Sequence, residues 1–250
     1  MNTTLIKNGT IVLNGTTAVQ DLLIRGEQIA ALGELSAITA AETVDATGLL
    51  VLPGGVDTHV HFNDVFMNTI SVHDYYSGTR AAAFGGTTSV IDFSNQAPGA
   101  SLMSTLENKF AEARGLALVD WGVHPVITQP SEATLAEIDD VIAAGAPTIK
   151  CYMTYRDEGL LIEETDLRRI LARLRDAGGM LLVHAEDNDM IEERVPRFLA
   201  SGRTSPIHHA QSKPPEVENK AIARCIEMVR DLGGRLFIVH MTTAEGVDMV

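Results

Sequence analysis

Apolar and polar positions along the chain fall into two regimes. Up to Leu52 they form short alternating runs over 5–13, 21–25, 28–32 and 49–52, broken by tight turns such as Gly26-Glu27. Period-two alternation bounded by turn residues predicts half-buried strands, so residues 1–52 are expected to form a small N-terminal β-sandwich part. After Pro53 the pattern changes to strands over 56–62, 87–93, 117–124, 148–154, 180–184 and 235–240. Stretches of helical period follow them, over 74–84, 102–114, 132–144, 163–176, 188–200 and 215–232, with a last helix starting at Ala244. Glycine pairs at 85–86, 178–179 and 233–234 stand just before three of these strands, where helices stop. Strands alternating with helices make parallel βα units, hence a (β/α)8 barrel or a doubly wound sheet. The polar residues favour the barrel. His61, Asp92, His124, Thr154, His184 and His240 all fall at or near the C-terminal ends of different strands, the face on which barrels assemble their sites.

Composition narrows the partners. The 250 residues are 45% apolar and carry a formal charge of −14. An anionic surface disfavours nucleic acid and anionic lipid, and the apolar runs are strand-sized, too short for a bilayer. Met1 to Asn8 has neither an apolar leader core nor a cleavage site, so the cytoplasm is the expected compartment. Cys151 and Cys225 fall inside a predicted strand and a predicted helix, which argues against a disulfide.

The chemistry starts at Leu52-Pro53-Gly54-Gly55-Val56-Asp57-Thr58-His59-Val60-His61-Phe62. In extended backbone His59 and His61 emerge on one face and can address one ion. By the same alternation Lys150, Tyr152 and Thr154 share a face opposite Ile149, Cys151 and Met153. If the apolar set meets the helices, Lys150 points into the barrel, where an ammonium is costly. Two outcomes are open: pairing with a carboxylate such as Asp92, or reaction of the neutral amine with carbon dioxide to give a carbamate that can bridge two cations. Two further apolar strands each end in one histidine, His184 and His240. Four imidazoles and one bridging anion are the parts of a two-metal hydrolytic site.

The Pro-Gly-Gly-Val-Asp-Thr-His-Val-His-Phe segment resembles the dihydropyrimidinase and hydantoinase branch of the amidohydrolases. So do Ile149-Lys150-Cys151-Tyr152-Met153-Thr154-Tyr155, Val183-His184-Ala185-Glu186 and Ile238-Val239-His240, and the likeness runs over essentially the whole chain. The resemblance implies ring opening of hydantoins or 5,6-dihydropyrimidines by a hydroxide held between two divalent metals. Zinc is the first expectation, with manganese or cobalt as alternatives. On this likeness His59 and His61 hold one ion, His184 and His240 the other, and a carbamate on Lys150 bridges them. Tyr155 then binds substrate by donating to the oxyanion, and a homo-oligomer, tetramer or dimer, is implied. Residues 53–250 are expected to be this metal-dependent hydrolase barrel, incomplete at its C-terminus with about six βα units. The family's metal-ligating, proton-shuttling aspartate after the eighth strand has no counterpart here, so the expectation is a cage that assembles without turnover.

Allantoinase or dihydroorotase chemistry is the rival within the superfamily, and Tyr155 favours the first group. A non-catalytic scaffold relative is the reading from another class. His73 and the His208-His209 loop are expected to be structural or exposed, and Asp57 to make a structural hydrogen bond. Asp92 and His124 could stand behind the ligands, and Phe62, Phe66 and Met67 could wall the substrate.

Overall fold

The computed structural model describes residues 2–250. The chain divides into two compact units, Met1–Gly55 and Val56–Val250. The first is built on β1 (Thr3–Leu13), β2 (Thr16–Arg25), β3 (Gln28–Gly33), β4 (Glu42–Asp45) and β5 (Leu50–Val51), in the order β3-β2-β1-β4 with β5 also paired to β1. Asn14 and Gly15 join β1 to β2 with φ of 50° and 74°, the doubly left-handed turn whose twist suits a two-residue hairpin. Leu5, Ile11, Leu22 and Leu23 supply its buried apolar positions. Asp21 accepts hydrogen bonds from the backbone N–H of Asn8 (2.9 Å) and Leu35 (3.1 Å), tying the sheet to its following loop.

The second unit opens with β6 (Gly55–Val60), the small hairpin β7 (Val65–Phe66) and β8 (Thr69–Ile70), and α1 (Tyr75–Phe84). It continues through β9 (Thr87–Asn95), α2 (Leu102–Ala113), β10 (Asp120–Val126), α3 (Glu132–Ala136), α4 (Ile138–Ala143) and β11 (Thr148–Tyr152). Then follow α5 (Glu164–Ala177), β12 (Met180–His184), α6 (Asn188–Ala200), α7 (Pro206–Ser212), α8 (Pro215–Leu232), β13 (Leu236–Ile238) and α9 (Ala244–Met249). The six strands lie in the order β13-β12-β11-β10-β9-β6, each beside its predecessor. A doubly wound sheet reverses its order at a switch point, whereas a barrel adds strands in sequence. The sheet is therefore part of a (β/α)8 barrel within a mixed α/β fold.

An apolar core joins the sheet to its later helices. Ile149, Cys151 and Met153 pack with Ile170, Leu171 and Leu174 of α5 and with Ile222 and Cys225 of α8, and both cysteines are free. Two helical expectations are corrected. The helix expected over 132–144 is two short ones meeting at Glu137, whose carboxylate leaves the helical surface to accept from Met103 N–H (2.9 Å). His208 and His209 lie not in a loop but in α7, which Pro206 starts at its first turn, the position where proline costs a helix nothing.

Candidate metal centre

Four strands end around one cavity of about 390 Å³. His59 and His61 reach it from the end of β6, Lys150 and Tyr152 from β11, His184 from the last residue of β12, and His240 from just past β13. Asp64, Phe66, Asn95 and Tyr155 complete much of its wall. The ring centres of His59 and His61 are 5.3 Å apart, those of His59 and His240 5.3 Å, and those of His184 and His240 4.5 Å. Tyr155 stands 5.3 Å from His184. All six residues expected from the sequence thus line the same space. Two of them have unusual backbones: Tyr155 has φ 66° and His240 φ 37°. Non-glycine residues in this region are strained and concentrate at functional sites.

Lys150 is 1% exposed, and its Nζ lies 5.3 Å from the ring centre of Phe93 and 4.8 Å from that of Tyr152. Among the described residues no carboxylate pairs with it, and burial brings its amine down to about 7. The ion-pair alternative fails for a clear reason: Asp92 is already taken, 3.2 Å from Lys109 Nζ on α2. Burial, together with the charge on Lys150, brings His59 down to about 3. Burial likewise brings His240 to about 4 and lowers His184. Those rings are neutral at pH 7, the form that ligates a metal.

Carboxylates fix which ring nitrogen is available. His61 Nδ1 is 2.8 Å from Asp64 Oδ2; Asp64 Oδ1 accepts from Asn95 Nδ2 (3.2 Å), and the Asp64 backbone N–H donates to Ser71 Oγ (2.9 Å). An ionised carboxylate only accepts, so Nδ1 carries the proton and Nε2 is left for a ligand. His184 is held by its other nitrogen, with Nε2 2.7 Å from Glu186 Oε2. Burial alone would raise Glu186, but hydrogen bonds from His184 and Lys213 outweigh it and bring it to about 2. Among the described residues no three His, Cys, Asp or Glu side chains stand together as ligands of one ion. A cage with two imidazoles per ion and a shared lysine-borne anion has that property, since each third donor comes from Lys150. Neutral imidazoles and a buried amine without a counter-ion fit such a pair of ions.

The profile of the amidohydrolase family matches residues 42–183. The chain belongs to the amidohydrolase family. It is 38% identical over 249 residues to the D-hydantoinase of Geobacillus stearothermophilus, covering 99% of this chain and 53% of that protein. It is 39% identical over 247 residues to the D-phenylhydantoinase of Escherichia coli K12, covering 98% and 53%. The crystal structure of dihydropyrimidinase from Brevibacillus agri superposes with a TM-score of 0.95 at 36% identity, over 98% of this chain and 53% of that one. The chain spans about half the length of the curated relatives it matches.

Within this amidohydrolase several residues have roles the sequence reading did not give them. Asp64 and Glu186 are the carboxylates behind two histidines; their spacings, three and two residues after a strand-end histidine, were a usable signal. Lys213 is 2.8 Å from Glu186 and 5.0 Å above the Tyr155 ring, and nothing in its local sequence announces that. His124 is not turned to the cavity, since its two nitrogens face Thr148 Oγ1 and the Thr58 carbonyl. Asp57 Oδ1 accepts from His59 N–H at 3.0 Å, a structural bond. Of the three expected wall residues, Phe66 lines the cavity and Met67 a neighbouring one, but Phe62 is buried against Tyr75.

Proposed function

We propose that this chain builds the two-metal site of a hydantoinase- or dihydropyrimidinase-type cyclic amidase, with residues 53–250 as the hydrolase barrel and 1–52 as a separate β part. The observation that carries the reading is the buried Lys150, with no carboxylate partner among the described residues, in a cavity shared with four histidines from three other strands. His59 and His61 would hold one divalent ion, His184 and His240 the other, and a carbamate on Lys150 would bridge them. Zinc suits imidazole and carboxylate-like donors, with manganese or cobalt close behind. When bound, such ions polarise a carbonyl and make water nucleophilic near neutral pH.

The residues of the chain do the rest. Burial keeps the Tyr155 phenol protonated, so its O–H can donate to the oxygen that becomes negative when the ring carbonyl is attacked. Asp64 and Glu186 hold the imidazoles of His61 and His184 in one tautomer. Phe66 narrows the cavity beside Tyr155, at a ring-centre distance of 5.2 Å, and excludes water from the face where a flat cyclic ureide would lie. A homo-oligomer, tetramer or dimer, completes the reading by likeness to the hydantoinases, with the cytoplasm as its compartment.

The test combines metal analysis with intact mass. After incubation with bicarbonate and zinc, two ions per chain and the mass of one added carbon dioxide on Lys150 are expected. Loss of absorbance of dihydrouracil or hydantoin then tests whether the cage turns over, which the missing counterpart of the family's aspartate argues against. A chain that retains no stoichiometric divalent ion under these conditions refutes the reading and leaves a scaffold.

A further inference from the structure

The ladder of β6 ends at Val60, so His61 and Phe62 lie beyond the hydrogen bonds that fix the rest of the strand. Other groups hold them. Asp92 Oδ1, on the neighbouring strand β9, accepts from Phe62 N–H at 3.3 Å and from Phe93 N–H at 2.7 Å. Lys109 Nζ, on α2, donates to the Phe62 carbonyl at 2.6 Å. The two captors are themselves an ion pair at 3.2 Å, with side-chain exposures of 7% for Lys109 and 0% for Asp92. Tyr75, fully buried, packs its ring 5.3 Å from that of Phe62 and 5.3 Å from Lys109 Nζ. A Cβ at Gly78, on the same helix, would fall 2.2 Å from Phe62 Cε1, so the ring packs closely against α1.

A buried ion pair is a poor way to gain stability, because desolvation offsets most of its attraction. The hydrogen bonds from Phe62 N–H to Asp92 and from Lys109 to the Phe62 carbonyl give the pair a different role. The Phe62 N–H belongs to the peptide that leaves His61, so anchoring it fixes the backbone from which the His61 ring projects. Asp64 fixes the same ring at Nδ1. Backbone and ring are thus held by separate groups. We infer that Asp92 and Lys109 are positioning residues for His61, acting through the Phe62 peptide to hold its imidazole where one ion of the pair would bind. The inference rests on the metal reading above and adds to it residues that touch neither ion nor substrate.

The test uses the whole chain. Zinc or cobalt titration of the wild type should show two binding steps, and the step lost in His61→Ala identifies the ion held by β6. Lys109→Met should weaken that step about 10- to 100-fold, the usual cost of removing a partner behind a ligand, and leave the other step unchanged. Lys109→Arg, which keeps charge and donors, should restore it. Without metal, exchange of the Phe62 amide should quicken in Lys109→Met while that of Val183 in β12 does not. Val90→Ala, which trims a buried neighbour outside the polar cluster, is the control for instability alone. If Lys109→Met does not fold, Asp92→Asn must show the same selective loss. An unchanged step in the folded variant, or an equal loss in Val90→Ala, overturns the inference and leaves the metal reading standing; a wild type that binds no ion overturns both.

Discussion

Two lysines are buried in the barrel unit, and their surroundings are opposite. Lys109 has Asp92 at 3.2 Å, Glu112 at 3.2 Å and a backbone carbonyl at 2.6 Å. Lys150 has two aromatic faces and an open cavity. Burying an ammonium is costly unless it is paired and hydrogen-bonded. Lys109 meets that condition and is a structural cation. Lys150 does not, and burial lowers its proton affinity instead. A neutral amine facing four imidazoles is chemically available in a way that a paired ammonium is not. The contrast separates a lysine that holds the site from one that belongs to it.

Substitution should break the comparison most sharply at Lys150. Lys150→Ala is expected to abolish paired occupancy, leaving at most one weakly held ion by metal analysis, and to end any bicarbonate dependence. Two tightly held ions in that variant would remove the bridge from the proposal. The apo fold should tolerate the change, because an unpaired amine contributes no ion pair to lose. Lys109→Met should do the reverse to stability, since it strands the buried Asp92 carboxylate. Breaking a buried pair in this way costs about 3–5 kcal/mol, readable as a lower urea midpoint.

Titration sharpens the same contrast with a smaller effect. Lys150 falls to about 7 in the fold from 10.5, so above pH 7 the unfolded chain binds a proton that the folded chain does not. Stability contributed by this group therefore rises with pH from about 7, by up to about 1.4 kcal/mol per unit. The trend is obscured where buried phenols and thiols resist ionisation, because burial raises Tyr152 and both Cys151 and Cys225. The difference between wild type and Lys150→Met isolates it. Between pH 7 and 8.5, without metal, the wild type should gain stability relative to the variant. A flat difference would mean that Lys150 is not neutralised by burial.

Much of this was legible from the sequence, and the missing part has a physical reason. Strand ends could be read because continuous apolar runs stop where a polar side chain meets the cavity, as at His184 and His240. Lys150 could be assigned inward because its neighbours Ile149, Cys151 and Met153 define the outer face by alternation, and they do pack on α5 and α8. Lys109 could not. On α2 it sits in Leu-Glu-Asn-Lys-Phe-Ala-Glu, where a lysine between glutamates looks like any solvated helix face. Its burial depends on Phe62 and Asp92, 47 and 17 positions away, and no local period carries that information. Phe62 was misread for a related reason: following a histidine pair it resembles a cavity wall, but the void beside Gly78 draws it inward.

The smallest expected effect tests whether both carboxylates around Lys109 matter. Asp92 is fully buried, whereas the Glu112 side chain is 46% exposed at the same 3.2 Å from Nζ. Water screens the outer pair, and exposed or half-exposed pairs contribute roughly 0–1 kcal/mol. Glu112→Gln should therefore lower stability by less than about 1 kcal/mol, and by less again at high salt, where screening grows. Metal occupancy should not change, because the bonds to Phe62 remain. A loss as large as that of Lys109→Met would show that the outer carboxylate carries the pair, and Asp92 would then lose its place as the anchor of the loop that presents His61.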